Sequence, residues 1–176
     1  MNLEKAILTE HSKSHCDKIV RYVGKDKKRF AELMRLFFDG EYRVNQRASW
    51  PLSNIVRKNP DIVRPYMSRI ISNMDKKGIH SAVLRNTVRL LQDIEIPGRL
   101  RGRLMNKCFE LISSEDIPVA VKVFSMTILY NLSIEYPEII PELRLLLEDR
   151  WEKETVAFRS RAGKIMARLP NKPAWP

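Results

Sequence analysis

Residues 46–66 read QRASWPLSNIVRKNPDIVRPY, and the fold turns on how its three prolines are understood. Its apolar spacing is helical, yet Pro51, Pro60 and Pro65 fall within it, and proline inside a helix removes a ladder donor and crowds the preceding turn. Two later segments resolve the conflict: LRNTVRLLQDIEIPGRLRGRL (84–104) and VFSMTILYNLSIEYPEIIPEL (123–143) align with it. Arg47, Arg85, Phe124 and Arg161 then occupy equivalent places, separated by 38, 39 and 37 residues, and Pro60, Pro97 and Pro137 follow the first three by 12 or 13. Each unit reads as a helix of about twelve residues, a turn marked by proline, and a second helix. Pro51 alone stays irregular, expected to kink or tighten its helix beside Trp50.

Around this repeat the apolar pattern is helical throughout. Val63, Tyr66, Met67, Ile70, Ile71 and Met74 form one stripe; Leu84, Thr87, Val88, Leu91 and Ile94 form the next. Leu100, Leu104, Cys108 and Leu111, then Val121, Phe124, Ile128 and Leu132, then Ile139, Ile140, Leu143, Leu146 and Leu147 continue the series. No Asn-Gly or Asp-Gly hairpin turn appears and no stretch alternates for long. The fold class is all-α, with helices expected near 3–22, 26–39, 42–58, 61–76, 80–94, 98–113, 118–134, 138–150 and 153–169.

The period, the RASWPL and RSRAGKI segments at the same helix position, and the proline after each first helix resemble HEAT or armadillo-type repeats. The resemblance covers about residues 42–170 and implies an α-α superhelix of helical pairs, with 1–40 as a helical N-terminal cap. Proline inside the first helix is familiar in that family, but here only the first unit has it. The last residues, 171–176, form a Pro-rich tail in which Trp175 packs back or meets a partner. The whole reads as a single domain, long enough to bury a core without metal or disulfide support.

Lys and Arg number 32 against 21 Asp and Glu, a surplus of +11. Residues 1–80 hold 17 basic and 9 acidic side chains, so +8 of that surplus lies in the first half. Such a patch attracts nucleic acid, an acidic protein or an anionic surface. The N-terminal stretch MNLEKAILTEHSKSHCDK is too charged for a signal peptide or a membrane span. Cys16 and Cys108 form no spaced pair, which suits a reduced, cytoplasmic protein; a monomer without cofactor is expected.

Catalytic chemistry finds little support. His11, His15 and Cys16 are the one metal-like cluster, but Cys16 turns about 100° from His15 on a helix and further ligands are lacking. His80 reads as a cap residue. No nucleophile elbow or phosphate loop occurs. HEAT-like DNA glycosylases for alkylated bases share the architecture, and the resemblance would imply a carboxylate and aromatic groups at the lesion. Trp50 with Asn54 is the nearest match, and an amide cannot stabilise an oxocarbenium-like sugar. Trp50 therefore reads as inter-helix packing and the chain as non-enzymatic.

Second helices are expected to line the concave, partner-binding face. Off their apolar stripes stand Arg64, Ser68 and Lys76, then Arg99, Arg103 and Lys107, then Glu138, Glu142, Glu148 and Asp149. A groove running from basic to acidic suits a protein partner bound by Arg64, Arg99, Arg103, Lys107 and Lys76 better than a nucleic-acid track, which needs like charge along its length. The rival is a nucleic-acid module that adds Lys25, Lys27, Lys28 and Arg29. The register itself is testable: Ala48 and Ala162 occupy matching positions where small side chains let helices approach. Ala48→Phe should overpack that layer and lower unfolding stability by about 1–3 kcal/mol in a denaturant titration; a neutral result rejects the alignment.

Overall fold

Ser12 decides the shape of the N-terminus. Its hydroxyl accepts from His15 N at 3.2 Å as the N-cap of a new helix, and Glu10 before it is extended. The single helix expected over 3–22 is therefore two, α1 (Leu3–Thr9) and α2 (Lys13–Val23). A serine cap satisfies orphan amide donors, which makes the break locally favourable. The computed structural model describes residues 1–170; the tail expected at 171–176, with Trp175, lies outside them. Every regular element among the described residues is helical, and the chain divides into two compact units, Met1–Glu95 and Ile96 onward.

In the first unit α3 (Lys27–Asp39) and α4 (Tyr42–Lys58) follow, then a 3₁₀ segment (Pro60–Tyr66), α5 (Met67–Asn73) and α6 (Ser81–Leu91). The 40/41 boundary read from the repeat spacing falls inside this unit, because α3 packs on α4 across it. Gly40 permits that turn: a Cβ there would stand 2.4 Å from the Leu36 carbonyl oxygen and 2.9 Å from Val44 Cγ1. The α4 helix is the hub, packed by α1, α2, α3 and α6. It runs unbroken through buried Pro51. Ser49 Oγ donates to the Gln46 carbonyl at 2.5 Å and Ser53 Oγ to the Ser49 carbonyl at 2.9 Å, adding side-chain bonds around the missing donor.

Pro65 explains the largest departure from the expected boundaries. A helix beginning at 61 would put proline in its interior, so the chain takes tighter 3₁₀ turns until Tyr66 and becomes α-helical only at Met67. It also ends early, at Asn73, and turns through Gly78 at φ 72°. The same device recurs in the second unit: Pro137 opens a 3₁₀ turn (Pro137–Ile139), and Pro141 sits in the first turn of α9 (Ile140–Arg150). There α7 (Gly98–Ser113) and α10 (Val156–Met166, after a 3₁₀ turn at Trp151–Lys153) pack on α8 (Val119–Ser133), and α9 packs on α7.

Arg47, Arg85, Phe124 and Arg161 all fall in the second turn of α4, α6, α8 and α10, as the repeat register requires. Ala48 and Ala162, beside them, are both 0% exposed. The apolar stripes form the two cores; Tyr66, Ile94, Phe124, Ile139 and Leu146 are half-buried at their edges.

The second unit also buries charge. Lys122, 2% exposed on α8, donates to Glu154, and Arg150 Nη2 donates to the same oxygen at 3.0 Å. Burial pushes the Glu154 carboxyl up, but the two cationic hydrogen bonds outweigh it and hold the group below its ordinary 4.5. A carboxylate with a depressed folded-state pKa stabilises fully above its unfolded value, and that stability is lost as pH falls through the folded value. Stability should therefore drop below about pH 4.5 partly through Glu154. Glu154→Ala leaves two buried cations without their shared counter-ion and should cost about 3–5 kcal/mol in chemical denaturation near neutral pH.

Candidate functional site

Helix α4 is enveloped by its neighbours everywhere except along one stripe, and that stripe meets α6 in a pocket of about 150 Å³. From α4 come Gln46, Ser49, Trp50, Ser53 and Asn54; from α6 come Arg85, Asn86 and Arg89. His11, from the break between α1 and α2, closes one side, its ring edge-on to Trp50 with centroids 5.2 Å apart. The spacing explains the convergence: positions 46, 50, 53 and 54 share one face of α4, and 85, 86 and 89 share one face of α6.

The polar groups are ordered by bonds that leave their outer ends open. Asn86 Nδ2 donates to Ser49 Oγ at 2.5 Å, which hands its own proton to the Gln46 carbonyl. Asn54 Nδ2 donates to Cys16 Sγ at 3.5 Å. The amide oxygens of Asn54 and Asn86 have no protein donor among the described residues, and the Gln46 side chain makes no hydrogen bond there. Arg85 and Arg89, one turn apart and exposed, likewise form no hydrogen bond or ion pair among the described residues. No carboxylate lines the pocket. Two like charges at i, i+4 repel by a few tenths of a kcal/mol on a helix surface, and nothing in the lining offsets this.

The pocket sits in a wider segregation of charge. Helices α4, α6, α8 and α10 contain no aspartate or glutamate, although they carry Arg43, Arg47, Arg57, Lys58, Arg85, Arg89, Lys122, Arg159, Arg161 and Lys164. The acidic residues lie elsewhere, including Glu32 and Asp39 on α3, Glu110 on α7, and Glu142, Glu148 and Asp149 on α9.

The residues singled out from sequence lie apart from this pocket. Arg64 is in the 3₁₀ segment and pairs with Asp61 at 3.1 Å and Glu95 at 3.7 Å. Lys76 lies beyond the end of α5, not on a second helix, and lines a shallower pocket of about 240 Å³ with Lys77, Tyr42 and His80. Arg99, Arg103 and Lys107 are on α7 in the second unit; Lys107 pairs with Glu110 at 2.8 Å, and Arg99 makes no ion pair among the described residues. None of the five lines the Trp50 pocket. Trp50, read from sequence as packing alone, is half-buried and presents part of its ring to this pocket. The signal that would have found the site is the absence of acidic residues from the first helices.

The metal-like cluster read from sequence is not brought together on one helix: His11 precedes α2, while His15 Nε2 lies 2.6 Å from the Ala6 carbonyl oxygen. Among the described residues no group of His, Cys, Asp and Glu is arranged to hold a metal ion. His80 caps α6, its Nδ1 accepting from Ala82 N at 3.1 Å. Burial pushes the Cys16 thiol up, and pushes the Cys108 thiol up to about 12, so neither is poised as a nucleophile. No helix among the described residues is long and apolar enough to cross a membrane.

No curated protein and no solved structure matches this chain. The family model for a HEAT repeat domain matches residues 3–169, taking in α1 to α3 as well as the repeats recognised from their prolines. With 78% or so of its described length committed to helices and nearly all of it matched by that model, the chain belongs to the HEAT repeat domain family.

Proposed function

We propose that this HEAT-repeat chain is a non-enzymatic scaffold of the cytoplasm that docks an acidic, extended segment of a partner protein on the exposed stripe of α4 and α6. The observation that carries the reading is the pocket holding Arg85 and Arg89, with no carboxylate and no counter-ion among the described residues. Each charge-assisted hydrogen bond from such a group to a carboxylate is worth about 1.5–3 kcal/mol. The amides of Gln46, Asn54 and Asn86 offer both donors and acceptors, which matches a peptide main chain, where N–H and C=O alternate. A phosphodiester backbone presents acceptors only, so their free oxygens would gain nothing from it. Arg64 and Lys107 are weaker candidates, because each already has an internal ion-pair partner.

Nucleic acid is the second reading, favoured by one observation: in both units the first helices are basic and free of acids. Fluorescence anisotropy with a labelled Glu-rich peptide and with random duplex DNA separates the two. The peptide should bind, and Arg85→Glu with Arg89→Glu should weaken it by about 100-fold or more, whereas Arg64→Glu with Arg99→Glu should change it less than about threefold. Tight, steeply salt-dependent binding of DNA that the peptide cannot displace would instead favour the nucleic-acid reading.

A further inference from the structure

We propose that the pocket between α4 and α6 takes a phosphorylated serine or threonine side chain of the partner, so that docking is switched on by phosphorylation. This rests on the docking reading above and adds the chemical state of the segment that binds. Three features single out a phosphomonoester over a plain carboxylate.

The first is charge. Arg85 and Arg89 stand on adjacent turns of one helix with no counter-ion among the described residues, and no described carboxylate lines the space before them. A lone aspartate or glutamate neutralises one of them; a phosphomonoester, carrying about −1.5 to −2 near neutral pH, neutralises both. Guanidinium groups also match phosphate oxygens through paired N–H donors, which lysines do not.

The second is the supply of further donors. A phosphoryl group has three terminal oxygens to satisfy, and the Gln46 amide, free of protein hydrogen bonds among the described residues, lines the same space as the arginines. The third is room. The pocket's roughly 150 Å³ exceeds what a carboxylate needs, and the half-buried Trp50 ring supplies an apolar wall for the carbon stem that carries the phosphate. Ser49, clamped between Asn86 and the Gln46 carbonyl, fixes α6 against α4 and so sets the distance between the arginines and the indole.

A terminal nucleic-acid phosphate has the same charge, but a peptide presents a main-chain N–H at nearly every residue beside the phosphate, the repeated donor that the unmatched amide oxygens of Asn54 and Asn86 can take. That favours a peptide.

The test uses the full chain and three forms of one Glu-rich peptide carrying Ser, phosphoserine or Glu at its centre, with a 5′-phosphorylated single-stranded oligonucleotide as comparison. Binding is measured by calorimetry, and the Trp50 indole N–H and the Arg85 and Arg89 Nε–H signals are followed by NMR. The phosphoserine peptide should bind about tenfold or more tighter than the Glu form and shift all three signals. Arg85→Lys and Arg89→Lys, which keep charge but lose the planar fork, should erase that preference while leaving the helical circular dichroism unchanged. Equal affinity for the phosphoserine and Glu forms would overturn phosphate selection and leave acidic docking standing. Failure of every peptide to bind would overturn both, and tighter binding of the phosphorylated oligonucleotide would reassign the pocket to nucleic-acid ends.

Discussion

Everything in the first unit depends on how closely α4 is surrounded. Val44, Ala48, Leu52, Ile55 and Val56 are buried against α1, α2, α3 and α6, and Ala48 has no exposed surface at all. A helix packed from so many sides needs some small side chains where neighbours approach, and Ala48 and Ser49 are buried among the larger Val44, Leu52, Ile55 and Val56. What remains is a single stripe, and a stripe so confined is held rigidly. Its Gln46, Trp50 and Asn54 side chains therefore project from a platform packed on several sides.

Pro51 belongs to the same constraint. Proline inside a helix costs about 3 kcal/mol where nothing compensates. Here it is buried, and its ring contributes apolar surface on a face already committed to packing. The adjoining serines bond back to carbonyls on the pocket side, and Ser49 goes on to receive the Asn86 amide from α6. The residue that looked anomalous in sequence thus sits where the ladder is weakest and where side-chain hydrogen bonds tie two helices together.

The all-α architecture and the repeat register were legible because they rest on spacing. Apolar stripes and the recurring first-helix position at Arg47, Arg85, Phe124 and Arg161 survive any small error in helix ends. Boundaries set by a single residue were less legible: Ser12 split one expected helix, and Pro65 delayed another by six residues from the expected start at 61 to Met67. The site was hidden for a different reason. Trp50 and Asn54 were noticed together, but Arg85 and Arg89 reach them only through packing of α6 on α4, a contact between residues more than thirty positions apart. Periodicity along one helix cannot reveal which stripe of a neighbour will face it.

The lining of the α4–α6 pocket is dominated by groups that hydrogen-bond and carry fixed positive charge. General acid–base work needs a titratable group held near the operating pH by its surroundings. The lining offers amides, hydroxyls, an indole and guanidinium groups, with His11 turned edge-on to Trp50. Arginine stays protonated and amides do not ionise, so Arg85 and Arg89 keep their charge and Gln46, Asn54 and Asn86 stay neutral. Keeping like charges together without acids to offset them works against folding, since self-repulsion destabilises the compact state. The second unit spends its buried charge oppositely: Lys122 and Arg150 are quenched by Glu154, and that cluster serves the core. Buried cations in the second unit are therefore paired within the core, whereas Arg85 and Arg89 on the α4–α6 stripe make no ion pair among the described residues.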